Sequence, residues 1–260
     1  MIKLIMTLYY NSILYKMLYK MKLFEPLLQY VLLTSRKKGI DETHGLGHSI
    51  NVLMNSHHIF ENEKNNYPQI KPMENIIYAS AVLHDMCDKK YMDEKDGIRE
   101  LDNVLYENKL SSIKKVDYGV DVAGPFTLFP NQPNYIMKPK FNFEDEEIDV
   151  IKKIIGTMSY STVKKQGFPE LGKYIMAYHI VREADLLAAY DFDRALMYDM
   201  YKNDTCLEEA FQNSEDLFEK RIFRHKDDNL LITDYSKQQH EILANNAHNR
   251  IRSWKSLLRL

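Results

Sequence analysis

An adjacent histidine and aspartate, His84-Asp85, lie in the otherwise apolar stretch at residues 81–87. Such side chains are costly to bury unless they are paired or coordinated. His48 upstream and Asp185 downstream are further residues that could share an ion with them. Two imidazoles and two carboxylates suit a divalent cation such as Mn²⁺, Mg²⁺, Co²⁺, Ni²⁺ or Fe²⁺ better than the thiolates of structural zinc sites do. We therefore expect these four residues to hold one divalent metal ion.

The expected ligand number indicates what such an ion would do. Four protein ligands on an octahedral ion leave two coordination positions open. A phosphate oxygen and a water could occupy them, which is the arrangement that metal-assisted hydrolysis requires. A structural site would instead be closed by protein ligands. The residue types and their spacing therefore favour catalysis on a phosphate compound.

The motifs around these residues resemble those of the HD-domain superfamily of metal-dependent phosphohydrolases, most closely the bacterial HD-domain nucleotide pyrophosphohydrolases. Those proteins have His-x-x-Arg-Val, then Ala-Leu-Leu-His-Asp followed by an Asp and a Lys, then Ile-Ser-Phe, then Asp-Ala-Asp-Arg-Leu. The counterparts here, in the same order, are residues 48–52, 82–90, 158–160 and 183–187. Four motifs in order are far more specific than one. The resemblance implies a helical HD domain that hydrolyses a nucleotide-like phosphate ester or anhydride, with pyrophosphate release favoured.

The same motifs supply candidates for handling the phosphate. The resemblance implies that Lys90 neutralises a phosphate oxygen and that Asp88 orients or deprotonates the attacking water. It also implies that Ser159 and Tyr160 lie beside the site as substrate-binding residues. Two structural alternatives stay open, with Lys90 on a solvated surface and Tyr160 as a core aromatic residue.

Two more substrate-binding candidates come from their spacing to the expected ligands. His44 lies four residues before His48 and could donate a hydrogen bond to a phosphate or cap a loop. Arg182 lies three residues before Asp185 and therefore on the same side of a helix. It could grip a phosphate or form a surface salt bridge.

Two other functions remain open. Dinuclear iron oxygenases of the HD type need two further histidines between the His-Asp pair and the last aspartate. No histidine lies between Asp85 and His179, so a single metal ion is preferred. Asn51 and Leu186 stand where the family has arginine. These departures leave open a non-catalytic regulatory protein that binds a metal ion and a nucleotide.

Composition sets the limits for these functions. The chain has 260 residues, of which 45% are hydrophobic and 28% charged, which suits a single domain over residues 1–260. The net charge of −2 gives no global attraction for nucleic acid, so we expect a small-molecule phosphate substrate. Cys87 and Cys206 form no disulfide framework, which fits a reducing, cytoplasmic location.

Helical periodicity and caps predict an all-α bundle with the metal ion between helices. Residues 1–22 read as a helical extension, since the uncharged stretch 4–15 is too short to span a membrane. Residues 109–143 read as an insertion rich in proline, glycine and aromatic residues. The predicted helices cover about 23–37, 48–64, 73–88, 93–108, 144–158, 171–201, 205–225 and 234–258.

Overall fold

The computed structural model describes residues 24–41, 43–88, 90–106 and 143–259. The predicted extension over about 1–22 lies outside these ranges, as does nearly all of the predicted insertion over about 109–143. The described residues form ten α-helices and no β-strand, which confirms the all-α prediction. None of these helices combines the length and the apolar character that a membrane span needs.

Two of the connections between the described α-helices contain a 3₁₀-helix, Pro68–Met73 and Gly172–Tyr174. A π-helical turn, Phe218–Ile222, follows directly on the α-helix Leu207–Leu217. The helices are α1 (24–38), α2 (Leu46–Glu63), α3 (Glu74–Leu83), α4 (Glu94–Leu105), α5 (Asp145–Thr157), α6 (Tyr160–Gln166), α7 (Ile175–Ala188), α8 (Phe192–Asn203), α9 (Leu207–Leu217) and α10 (Asp234–Leu258).

The helices α2, α3 and α7 form the centre of the larger hydrophobic core, and each packs against the other two. Every residue of α3 from Ile76 to Leu83 is buried, so this helix is surrounded by protein on all sides. Ala79 and Ala81 are fully buried within it and leave room for the neighbouring helices to approach closely. The carboxyl end of this central helix, and the residues that follow it directly, therefore lie in the interior of the fold.

The carboxyl end of α3 differs from the prediction in a way that matters for the His-Asp pair. The helix ends at Leu83, and tight turns follow, with Met86 N donating to Leu83 O at 2.9 Å and Asp88 N to Asp85 O at 3.2 Å. Adjacent side chains on a helix diverge by about 100°. Because the helix stops just before His84, the two side chains can face the same point.

The predicted single helix over about 171–201 is wrong, because the chain bends at residues 189–191 and separates α7 from α8. Asp191 caps α8 by accepting a hydrogen bond from Arg194 N at 3.1 Å. Tyr190 is held in the bend by its hydroxyl, which donates to Ile222 O at 2.8 Å. A second, smaller hydrophobic cluster then forms between α8, α9 and α10, with Phe192 and Phe211 among its members.

Helix α6 was not predicted. It begins at a Ser159 cap, where the serine hydroxyl accepts from Thr162 N at 3.2 Å. It ends at Gly167, whose φ of 76° lies in the region that glycine adopts most easily. The seven-residue helix places Tyr160 at its first position, facing the end of α9.

The start of α10 is fixed by two buried glutamates on other helices. Glu183 of α7 accepts from Ile232 N at 2.7 Å, from Thr233 N at 3.1 Å and from the Thr233 hydroxyl at 2.6 Å. Glu63 at the end of α2 accepts from Tyr235 N at 2.9 Å. Both carboxylates bind backbone N–H groups near a helix amino terminus, where negative charge is favourable.

Candidate metal centre

Three separate stretches of chain meet where α2, α3 and α7 pack together. His48 is the third residue of α2, His84 and Asp85 follow the last residue of α3, and Asp185 lies in the last turn of α7. His84 is oriented by a hydrogen bond from its Nδ1 to Ala81 O at 2.9 Å. Because a carbonyl only accepts, Nδ1 carries the proton and Nε2 faces the other side chains. This backbone bond is the usual way to hold a ligand histidine.

The donor atoms of three of these residues converge. The Nε2 atoms of His48 and His84 are 3.1 Å apart, and Asp185 Oδ1 lies 3.2 Å from the first and 3.7 Å from the second. Together they form a group whose ligand atoms all lie within 4.8 Å of one another. Neighbouring ligands about 2.1 Å from an octahedral ion stand about 3 Å apart. The spacing of the three donor atoms therefore fits a shared cation.

Asp85 approaches the same point from the side of His84. Its Oδ2 lies 3.2 Å from His84 Nε2 and 3.6 Å from His48 Nε2, although it is not within 4.8 Å of every atom of the three-residue group. This oxygen is buried and has no hydrogen-bond partner. A buried carboxylate oxygen is costly to leave unpaired. The residues present therefore fit a divalent cation with two imidazole and two carboxylate ligands.

The charges of the centre are strongly interdependent. Burial lowers the pKa of His84, but the carboxylates of Asp85 and Asp185 outweigh it and raise the pKa to about 9. Burial lowers the pKa of His48, and the nearby charge of His84 adds to that effect. The pKa values of Asp85 and Asp185 are lowered, because the two histidines outweigh the effect of burial. Without an ion, a protonated His84 therefore offsets part of the negative charge of the two carboxylates.

Arg194 is a residue at the centre that the sequence interpretation missed. Its Nη1 donates to His48 Nδ1 and to Thr43 O, the latter at 3.0 Å. It follows Asp185 by nine residues, which on one continuous helix would place it about 13 Å away along the axis. The bend at residues 189–191 returns it to the centre. No motif marks Arg194, and the one signal was Asp191 as a possible helix cap.

His44 lies beside His48, with ring centroids 6.2 Å apart. Its Nδ1 is 2.9 Å from the Thr43 hydroxyl and 3.2 Å from the Tyr91 hydroxyl, which in turn donates to Asp41 at 2.8 Å. Burial lowers the pKa of His44, so the ring is neutral at pH 7. The structure thus places His44 next to the centre and also gives it loop partners.

Asp88 and Lys90 follow the His-Asp pair at the edge of the centre. Asp88 Oδ1 accepts from Lys90 N at 2.8 Å, and the ammonium group of Lys90 lies 3.8 Å from Asp88 Oδ2. The Lys90 side chain is largely exposed, and its charge reaches His44. One oxygen of Asp88 is therefore used by the local turn, while Lys90 is free to move towards an anion.

The remaining candidates are Ser159, Tyr160 and Arg182. Ser159 is exposed and serves as the cap of α6. Tyr160 lies against the guanidinium of Arg221, 4.2 Å from the ring centroid. Arg182 is buried, bonded to Leu230 O and 3.5 Å from Glu183, so the alternative of a surface salt bridge is wrong. Its charge nevertheless acts on Asp185.

Comparisons with known proteins add no relative. No family model, no curated protein and no solved structure matches this chain.

Proposed function

We propose that this protein is a metal-dependent phosphohydrolase of the HD type. His48, His84, Asp85 and Asp185 would hold one divalent cation, of the kinds Mn²⁺, Mg²⁺, Co²⁺, Ni²⁺ or Fe²⁺. One observation carries the proposal, which is the convergence of two imidazole nitrogens and two carboxylate oxygens from three distant stretches of chain. One of those oxygens is buried without a partner.

The exposure of the four side chains indicates where a substrate would approach. The side chains of His48 and His84 are 3% and 2% exposed, and that of Asp85 is 15% exposed, whereas that of Asp185 is 33% exposed. The open side of the centre therefore lies next to Asp185. When bound there, a divalent cation supplies polarisation of a phosphoryl oxygen and a water of lowered pKa.

The protein's own residues would handle the charge of the substrate. Lys90 and Arg194 are cations near the centre, and the neutral His44 beside them can donate a hydrogen bond. Such groups suit the oxygens of a phosphate ester or anhydride. The motif resemblance makes a nucleotide the favoured substrate and pyrophosphate release the favoured reaction. A reducing cytoplasmic location belongs to the same proposal.

The test is a panel of nucleoside triphosphates and an aryl phosphate ester, incubated with the purified protein and each of the five metals. We expect product only with metal, loss with a chelator and recovery on adding metal back. Separating orthophosphate from pyrophosphate distinguishes a phosphatase from a pyrophosphohydrolase. Bound metal without any product would instead support the non-catalytic regulatory protein.

A matched variant ties the activity to the centre. Asp85→Ala should abolish metal binding and turnover while the helical circular dichroism signal stays unchanged, because the residue lies after α3 and not within it. Turnover by Asp85→Ala would remove this site assignment. Metal analysis of the wild-type protein should find one ion per chain, and two irons would favour the oxygenase.

A further inference from the structure

A second group of polar side chains lies within electrostatic reach of Asp185. It consists of Arg182, Arg221, His225 and Tyr160, and we call it the arginine cluster. The carboxylate of Asp185 acts electrostatically on both arginines and on His225. The arginine cluster is therefore within electrostatic reach of Asp185, the expected metal ligand with the most exposed side chain.

The arginine cluster contains buried donors that have no partner. His225 is 0% exposed and neither ring nitrogen has a hydrogen-bond partner. Arg182 is 2% exposed and its Nε has none. The Nε of Arg221 is also buried without one, and within the described residues its guanidinium makes no hydrogen bond or ion pair. Buried polar groups normally find partners, so three such side chains in one place call for a ligand.

Within the described residues, the packing of these side chains leaves the Nε of Arg182 and the guanidinium of Arg221 without a hydrogen bond. The Arg221 guanidinium lies over the Tyr160 ring at 4.2 Å, and the Arg182 guanidinium lies over the Phe168 ring at 4.9 Å. The Tyr160 and His225 rings are 6.1 Å apart between centroids. A guanidinium stacked on a ring still directs its N–H groups outward in its own plane. Arg221 also belongs to the π-helical turn Phe218–Ile222, a kind of irregularity that is frequent at functional sites.

The charges in this region do not balance. Glu183 faces Arg182, but its carboxylate already accepts three hydrogen bonds at the start of α10. Asp228 is engaged by Lys164 at 2.9 Å and by Arg224 at 3.5 Å. Asp185 is the carboxylate that acts on Arg221, and it also belongs to the metal centre. With a divalent cation beside Asp185, Arg221 would have no counter-charge of its own.

We propose that the arginine cluster binds the phosphate chain of an oligophosphate ester, next to the phosphoryl group at the metal centre. The inference rests on the proposed function and extends it by assigning Arg221 and His225. Arg221 would give a forked pair of hydrogen bonds to phosphate oxygens, and Arg182 Nε would give another. Burial, aided by the charge of Arg221, lowers the pKa of His225 to about 3, so the neutral ring donates a single hydrogen bond.

The test measures anion binding to the full-length, metal-free protein by titration calorimetry with tripolyphosphate and with orthophosphate. We expect tripolyphosphate to bind more tightly, because a chain of phosphates can reach several donors at once. Arg221→Gln should weaken tripolyphosphate binding by about tenfold or more, the usual cost of losing hydrogen bonds to a charged group. Arg224→Gln removes the same charge from an exposed side chain three residues away and should change the affinity less than about twofold.

A second variant keeps the test valid if Arg221→Gln fails to fold. His225→Leu removes two buried unpaired nitrogens, so the melting temperature should stay the same or rise while tripolyphosphate binding weakens. A residue with a purely structural role would not show that combination. Equal loss of binding in Arg221→Gln and Arg224→Gln, or no tripolyphosphate binding by the wild-type protein, would overturn the assignment.

The outcomes separate this inference from the proposed function. If tripolyphosphate binding depends on Arg221 but no nucleotide is hydrolysed, the phosphate-binding role of the arginine cluster is supported and the phosphohydrolase proposal fails. If nucleotides are hydrolysed while Arg221→Gln changes neither KM nor tripolyphosphate affinity, the arginine cluster alone fails.

Discussion

Glu183 and Asp185 are two acidic residues on the same helix, two positions apart, with opposite surroundings. Glu183 is fully buried, and its oxygens accept three hydrogen bonds from the start of α10. Asp185 is partly exposed and faces the side chains of two histidines. Burial raises the pKa of Glu183, whereas the histidines lower that of Asp185 in spite of burial.

The difference shows how a structural carboxylate can be told from a functional one. Glu183 satisfies backbone N–H groups of the protein and leaves nothing for a ligand. At the neighbouring candidate metal centre, by contrast, two imidazoles face one another, and the buried Asp85 Oδ2 has only their Nε2 atoms near it, at 3.2 and 3.6 Å. A buried acid with complete hydrogen bonding stabilises the fold, while converging groups with incomplete bonding indicate a binding site.

Replacing Glu183 tests the structural half of the comparison and should have the largest effect. Glu183→Ala leaves Arg182 buried without its counter-charge and removes the acceptor for Ile232 N and Thr233 N. The free energy of unfolding should fall by about 3–5 kcal/mol. Urea unfolding measures it. A loss below about 1 kcal/mol would show that the Glu183 contacts are worth no more than surface ones.

Replacing Asp185 tests the functional half. Asp185→Asn keeps the shape but removes a charged ligand, so Mn²⁺ affinity should fall by more than about 100-fold, beyond the range for residues that only support a ligand. Calorimetric titration with Mn²⁺ measures the change. The melting temperature of the metal-free protein serves as the control and should change far less than in Glu183→Ala. Unchanged Mn²⁺ affinity would mean that Asp185 is not a ligand.

The pH dependence of the free energy of unfolding tests whether His84 is protonated in the metal-free protein. The pKa of His84 is raised to about 9, because the carboxylates of Asp85 and Asp185 outweigh burial. A raised pKa contributes stability that is complete below the ordinary value of 6.5 and is lost as pH rises through about 9. The metal-free protein should therefore lose stability over this window, by an amount on the order of a few kcal/mol.

Urea unfolding in chelator at a series of pH values checks this expectation. His84→Gln removes the titrating ring and should flatten the dependence between pH 6.5 and 9. A wild-type profile as flat as that of the variant would show that His84 is not protonated in the metal-free centre.

Arg194 opposes a metal ion at His48 for two reasons. Its positive charge repels a cation, and its donation to His48 Nδ1 places the ring proton on Nε2, the atom that faces the centre. Arg194→Gln removes the charge and offers an amide oxygen that can accept from Nδ1. We expect about tenfold tighter Mn²⁺ binding, measured by calorimetry, whereas weaker binding would make Arg194 a residue that positions His48 for the ion.

Lys90 should give the smallest effect, because its side chain is largely exposed. Lys90→Ala should raise KM for the phosphate substrate a few-fold, in line with the modest strength of exposed charge pairs. The Mn²⁺ affinity should stay as in the wild-type protein. An unchanged KM would show that Lys90 is an ordinary solvated surface residue without a role in substrate binding.

Much of the fold could be predicted because long helices with clear periodicity and caps dominate it. Helices α2 and α10 match the predicted ranges closely, since a glycine-rich turn precedes one and Thr233 caps the other. The bend at residues 189–191 could not be predicted, because Ala189 and Tyr190 carry no turn signal and the tertiary contact of the Tyr190 hydroxyl stabilises it. His57 is likewise buried by a tertiary contact, with its Nδ1 2.8 Å from the Tyr78 hydroxyl.

The candidate site also contains residues that could be predicted from the sequence and residues that could not. His48, His84 and Asp185 could be proposed together because their residue types and motifs suggest a common ligand, and the structure brings them together. Arg194 and Arg221 could not, since each reaches its place through a local irregularity, a bend or a π-helical turn. Sequence periodicity predicts regular helices, but it does not predict bends or π-helical turns.

The bend at residues 189–191 also helps to link the larger hydrophobic core to the smaller cluster. Through Arg194, α8 contacts both His48 in the larger core and the smaller hydrophobic cluster that contains Phe192. Regions with less buried apolar surface open at lower energetic cost. We therefore expect mild heating to loosen the smaller cluster first and to release Arg194, so that the surroundings of the candidate metal centre change while the larger core is still intact.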